Sequence, residues 1–157
     1  MPKIDLASAP ALDGTSYPDP YAAPCLARRR WRLGVAGGLA DFGVNLLRLT
    51  PGAWSSQRHW HSVEDELVWV LEGEVVLVED GAETPLVAGD CAAFPAGAAN
   101  GHHLVNRSGR DAVVLEVGSS RPNEDVTQYP DCDLVARRDG YTHRDGTPYP
   151  AAKRRSA

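Results

Sequence analysis

Residues 58–73 read Arg58-His59-Trp60-His61-Ser62-Val63-Glu64-Asp65-Glu66-Leu67-Val68-Trp69-Val70-Leu71-Glu72-Gly73. The second half, LVWVL over Leu67–Leu71, is short, apolar and rich in β-branched and aromatic residues, which is the composition of a strand. Glu72-Gly73 interrupts it and Val75–Val78 follows at once, so a hairpin is expected. The first half carries His59-Trp60-His61. On a strand, residues i and i+2 point to one face, roughly 6.6 Å apart along the chain. On a helix the same two residues diverge by about 200°. In a strand-rich region this pair can therefore aim two imidazoles at one point. Glu66 stands at the base of the apolar run, where a carboxylate is costly to bury without a partner. A divalent cation would be such a partner.

The same texture extends to both sides. Val44–Leu49 is an apolar run ended by Thr50-Pro51-Gly52. After the Asp80-Gly81 turn a segment runs to Val87, then Gly89-Asp90 turns into Cys91–Phe94, closed by Pro95 and Gly97. His102–Asn106 and Ala112–Val117 complete the set, joined through Ser108-Gly109. No stretch here has a 3.6-residue period. Many short strands at this spacing predict an all-β sandwich or barrel of antiparallel strands. Composition divides the chain into an N-terminal arm (1–42), a β-rich centre (43–118) and a polar, Pro-containing C-terminal tail (119–157) that either packs on the barrel or is partly disordered.

The 157 residues, 43% of them hydrophobic, suit one domain. Sixteen Lys and Arg against 21 Asp and Glu leave a net charge of −5, which argues against a nucleic-acid partner. No apolar stretch approaches the ~20 residues of a membrane helix, and the opening MPKIDLASAP has no leader-like apolar run. Cys25, Cys91 and Cys132 are odd in number and far apart, so reduced thiols in a cytoplasmic protein are expected, with Cys91 as a small buried one. Arg28, Arg29, Arg30 and Arg32 read as a solvated or salt-bridged surface segment, with a phosphate-binding arm as the sharper alternative.

Of the five histidines, His102 and His103 form a second pair, and by strand parity either can face inward. At this point the residues resemble a known family. Gly52, His59-x-His61-x4-Glu66 and x6-Gly73 are similar to the first signature of the cupin superfamily. Gly89-Asp90, Pro95-x-Gly97 and His102-x3-Asn106 are similar to the second. Six residues rather than five separate Gly52 from His59, and four rather than two separate Gly97 from His102. Only His102 keeps the x3 spacing to Asn106, which selects it over His103. The wording of these segments resembles the small single-domain bacterial cupins.

The resemblance implies a cupin-type jelly-roll β-barrel with extended N- and C-terminal arms. It implies one divalent metal ion (Fe, Mn, Ni, Co or Zn) held at the mouth by His59, His61, Glu66 and His102. Open coordination positions would permit Lewis-acid chemistry, water activation or O2 binding. The expected function is a metalloenzyme acting on a small oxygen-rich molecule, oxygenase-like in first preference and isomerase- or lyase-like in second. The alternative is a non-catalytic cupin that binds a small ligand.

Parity and composition place Gln57, Asn106, Glu116, Arg48, Trp69 and Phe94 around the pocket. Glu116 interrupts an apolar strand, and Arg48 is its expected partner. Asn106 reads as a turn or supporting hydrogen bonder rather than a ligand, and His143 as a surface residue. The long arms suggest a homodimer in which they bury themselves on a second copy.

Overall fold

The computed structural model describes residues 3–151. The chain enters through β1 (Ala11–Asp13), β2 (Arg28–Arg32), a single-turn helix α1 (Leu33–Ala36) and β3 (Phe42–Leu49). The centre continues with β4 (Trp60–His61), β5 (Glu66–Glu72), β6 (Glu74–Glu79), β7 (Ala82–Val87), β8 (Cys91–Phe94), β9 (His103–Val105) and β10 (Ala112–Ser119). It ends in β11 (Thr127–Gln128), β12 (Val135–Arg137) and β13 (Gly140–Thr142). Each apolar run of the centre is a strand, within a residue or two of its expected bounds. The fold is all-β, a jelly roll of antiparallel strands, as expected.

Three sheets form it. The largest has the order β1-β2-β3-β10-β5-β8, a second is β7-β6-β9, and a third is β13-β12-β11-β4. Every pairing is antiparallel. The hydrogen bonding does not run continuously around a closed barrel; instead the first two sheets face each other across a core. Leu47, Leu49, Val68, Val70 and Val114 from the large sheet meet Val75, Leu77, Leu86 and Leu104 from the small one. The β5–β6 hairpin closes at Gly73, where φ is +74° and an added Cβ would lie 2.6 Å from the Asp111 carbonyl oxygen. Both the backbone conformation and the space require glycine there.

The arginine run is β2, hydrogen-bonded to β3 with Arg30 opposite Leu47. Arg29 pairs with Asp13 at the surface, as expected of a salt-bridged segment, but Arg28 is buried. The C-terminal stretch lacks a core-sized apolar run, yet it packs. Tyr129, Cys132 and Leu134 join Tyr17, Ala22 and Cys25 of the N-terminal stretch in a second apolar cluster. These arm residues are thus buried within their own chain. Aromatic rings contribute much of the contact, with Tyr17 and Tyr129 edge-to-face at 5.8 Å between centroids.

Strand parity on β5 divides two sets of residues. Val68 and Val70 are buried, whereas Leu67, Trp69 and Leu71 lie on the outer face, 38–47% exposed. Trp69 is therefore not a pocket residue. Cys91, opposite Trp69, is exposed rather than buried, while Cys25 and Cys132 are buried free thiols. Among the described residues no helix is long and apolar enough to cross a membrane.

Candidate metal centre

His59 and His102 form an isolated antiparallel bridge, each N–H donating to the other's carbonyl oxygen (3.1 and 2.9 Å). The bridge sets side by side two rings that are distant in sequence, their centroids 4.9 Å apart. His61, two residues along, places its ring 5.1 Å from that of His59. Glu66 opens β5 on the face that carries Val68 and Val70, so its carboxylate points inward. Its Oε2 lies 3.3 Å from His102 Nε2, 3.7 Å from His59 Nε2 and 3.8 Å from His61 Nε2. Three imidazole nitrogens thus surround one carboxylate oxygen. His59, His61 and Glu66 offer ligand atoms all within 4.8 Å of one another.

The partners of the other ring nitrogens fix the tautomers. His59 Nδ1 donates to the Gln57 carbonyl oxygen at 2.9 Å. His61 Nδ1 donates to Asp125 Oδ2 at 2.7 Å. Both Nε2 atoms therefore present lone pairs, the form that binds a metal. His102 Nδ1 is buried without a hydrogen-bond partner among the described residues. Phe94 stacks flat on His102 at 3.5 Å and shields it. His103, the rejected neighbour, turns away: its Nδ1 donates to the Ser56 carbonyl oxygen and its ring packs edge-to-face on Trp54.

The electrostatics set a neutral His59 beside an anionic Glu66. Burial drives the His59 pKa down to about 3, helped by His102 and His61 and opposed by Glu66. Burial alone would raise the Glu66 pKa, but the hydrogen bond from His102 and the other two imidazoles bring it to about 2. Two imidazoles whose Nδ1 atoms are already engaged, beside an ionised carboxylate, suit a divalent cation of the first transition row. The residues present fit the ion that the resemblance implies.

The His59 shift has a consequence for stability. Unfolded, His59 titrates near its ordinary value of about 6.5, so below that pH the unfolded chain binds a proton that the folded chain refuses. Stability is present above about pH 6.5 and is lost as the pH falls toward 3. His103 is shifted down by burial as well and adds in the same direction. Chelator-treated protein should lose roughly 1.4 to 3 kcal/mol per pH unit between pH 6 and 5. Urea midpoints across that range check this; a flat profile overturns it.

Asp125 is a site residue that sequence reasoning missed. Besides His61 it accepts hydrogen bonds from the Val63 backbone N–H, Ser62 Oγ and Thr127 Oγ1. Burial would raise its carboxyl, but the bonds from His61 and Val63 hold it below the usual range. It comes from the C-terminal tail, far from the ligand motifs, and nothing in the local sequence singles it out. Asp125→Asn should weaken metal affinity about 10- to 100-fold while leaving the fold intact. Metal titration of the chelated variant beside the wild type measures this, and equal affinities would refute it.

The cluster opens on a cavity of about 460 Å³, lined also by Arg28, Arg30, Asn45, Glu64, Phe94, Glu116, Thr127, Tyr129 and Tyr141. Glu116 is buried, as expected, but its partner is Arg30: Nε lies 3.0 Å from Oε2 and Nη2 3.2 Å from Oε1. Arg48 is opposite Val113, on the outer face, and pairs with Asp111. Glu116 is opposite Asn45, on the face of Leu47 and Leu49, so Arg48 and Glu116 look to opposite sides of the sheet. Burial pushes the Glu116 carboxyl up although Arg30 opposes it.

Gln57 precedes β4 rather than extending it, so strand parity does not govern it. It is buried under the arms, its Nε2 donating to the Tyr21 carbonyl oxygen, and it is not part of the cavity. Asn106 is fully buried and braces a turn, donating to the carbonyls of Leu49 and Arg110 and accepting from Ser108. It too lies off the cavity. His143 stacks on Tyr149 and donates to Asp133 at the surface.

The family model for the cupin domain matches residues 45–118. A crystal structure of a sugar phosphate isomerase from a cupin superfamily, from Silicibacter pomeroyi, is 48% identical over 96% of this chain and 98% of its own, with a TM-score of 0.87. A candidate sugar phosphate isomerase from Acidithiobacillus ferrooxidans is 30% identical over 80% of this chain and 81% of its own, with a TM-score of 0.69. The polyketide cyclase RemF from Streptomyces resistomycificus, 20% identical over 77% of this chain and 80% of its own, shares the fold (TM-score 0.59). No curated protein matches.

Proposed function

The chain belongs to the cupin superfamily, and from that footing we propose that it is a metal-dependent isomerase or lyase acting on a small polyhydroxylated carbonyl compound, with sugar phosphates as the class to test first. The observation that carries this reading is the convergence of three imidazoles on one carboxylate at the wall of a cavity that also holds further carboxyl and hydroxyl groups. The Silicibacter relative, matched over nearly its whole length, favours the isomerase over the oxygenase.

In this reading His59, His61, Glu66 and His102 hold the ion. When bound, it would supply Lewis-acid polarisation of a substrate carbonyl or hydroxyl oxygen. Four residues committed as ligands do not also transfer protons. That role falls to Glu64. Its Oε1 accepts the Arg121 backbone N–H, while its Oε2 is 3.9 Å from His61 Nδ1 and faces the cavity. Burial lifts its carboxyl although the Arg121 N–H opposes this, the direction that suits a group that takes and returns a proton. Phe94 and Tyr129 cover His102 and His59 and limit the access of water to those two rings. A homodimer in a cytoplasmic setting belongs to the same proposal; a concentration-independent monomer by light scattering would remove the dimer.

The test is solvent deuterium exchange. Metal-loaded protein in D2O, offered a panel of aldose and ketose phosphates, should place deuterium at the carbon beside the carbonyl, and Glu66→Gln should abolish this. Oxygen uptake without exchange would instead establish the oxygenase. Saturable binding with neither would establish a binding protein.

A further inference from the structure

Arg28 and Arg30 sit two residues apart on β2, share its inward face and line the same cavity as the ligand cluster. They differ in what neutralises them. Arg30 has Glu116. Arg28 has neutral partners: Nε donates to the Gly14 carbonyl oxygen at 3.1 Å and Nη2 to Thr15 Oγ1 at 3.4 Å. Its Cζ lies 5.9 Å from the centre of the Tyr17 ring. Its Nη1 is buried and makes no hydrogen bond among the described residues, and the residue is only 8% exposed. Arg28 makes no ion pair among the described residues. Arg28 feels Glu116 only at a distance, and a buried guanidinium without a contact ion pair is costly and keeps its charge at any ordinary pH.

The other two arginines of the run behave differently. Arg29 pairs with Asp13 at the surface and Arg32 is exposed. Strand parity turns Arg29 outward and Arg28 and Arg30 into the cavity, while Arg32 shares their parity but is exposed at the strand's end, where the chain leaves for α1.

We propose that Arg28, backed by the Arg30–Glu116 pair, anchors an oxyanion of the ligand whose oxygens reach the metal cluster. The anion is a phosphate or a carboxylate, since both match the planar fork of a guanidinium. A cavity of about 460 Å³ takes a small molecule that spans both ends. This rests on reading the cavity as the substrate site, but it concerns binding and not turnover.

The experiment uses the full chain stripped of metal by chelation, so that an anion cannot bind through the ion. Inorganic phosphate and, separately, acetate are titrated at constant ionic strength, followed by calorimetry and thermal shift. Phosphate should bind the wild type and Arg48→Gln alike. Arg28→Gln should weaken it about 10- to 100-fold, with Arg28→Lys between. Acetate outcompeting phosphate would assign the anchor to carboxylates. Neither anion binding the wild type, or phosphate binding Arg28→Gln or Arg28→Lys as tightly as the wild type, overturns the proposal. Arg28→Lys keeps the charge and serves if the Gln variant fails to fold. Because no turnover is involved, an absence of deuterium exchange leaves this result standing, and an absence of anion binding leaves the exchange assay open.

Discussion

Glu66→Gln is expected to lose its metal while keeping its fold. Wild-type protein prepared anaerobically should carry about one equivalent of a single first-row ion, and the variant should carry almost none. Glu66 Oε2 is the atom that all three Nε2 nitrogens face. Loss of a supporting residue alone costs metal sites about 10- to 100-fold in affinity, so loss of this central ligand should exceed 100-fold. The substitution is isosteric, and the neutral amide still accepts the hydrogen bond from His102, so chelated wild type and variant should unfold at similar temperatures. Added metal should then raise the melting temperature of the wild type only. Elemental analysis with melting curves decides it. Equal metal content in the two proteins would refute the assignment, as would a wild type that takes up none of iron, manganese, cobalt, nickel or zinc.

Arg30→Met should be the costliest arginine substitution for stability. It strands Glu116, which is 7% exposed and already pushed toward its neutral form by burial. Breaking a buried pair typically costs 3–5 kcal/mol. Glu116 can escape part of this by taking up a proton, which points to the lower end, about 3 kcal/mol. In a chain of this size that lowers the melting temperature by roughly 6–12 °C. The double variant Arg30→Met/Glu116→Leu should recover most of the loss, because no buried charge is then left unpaired. Arg48→Met, which breaks an exposed pair with Asp111, should change stability by less than about 1 kcal/mol. If Arg48→Met proves the more damaging, the assignment of Arg30 to Glu116 is wrong.

The two arginines show what strand parity can settle and where it was misapplied. Arg48 alternates with the buried Leu47 and Leu49, so its outward direction was available from the sequence. So was that of Trp69, which alternates with Val68 and Val70. Each was drawn toward the pocket by its chemical character rather than by its place in the period. Gln57 supports His59 through its backbone carbonyl, and its side chain stays out of the cavity for another reason. The strand begins at Trp60, and two-residue periodicity carries no information outside a strand.

Local sequence by itself determined the central strands, their turns and the His59-x-His61 pair with Glu66; the choice of His102 over His103 came from the family resemblance. Apolar alternation, β-branched runs and glycine turns are short-range properties, and His-x-His with a glutamate at a strand base keeps its meaning wherever the strand packs. Tertiary structure decided what surrounds those donors. Asp125 behind His61, Arg28 and Arg30 across the cavity, and Tyr129 over His59 all come from the flanks, whose composition is polar and aperiodic. Those flanks fold because the centre offers them a sheet edge beside β3 and an apolar surface to cover, and their own residues do not specify either. A contact between residues far apart in the chain leaves no local pattern on either one, so the cluster could be read from sequence and its environment could not.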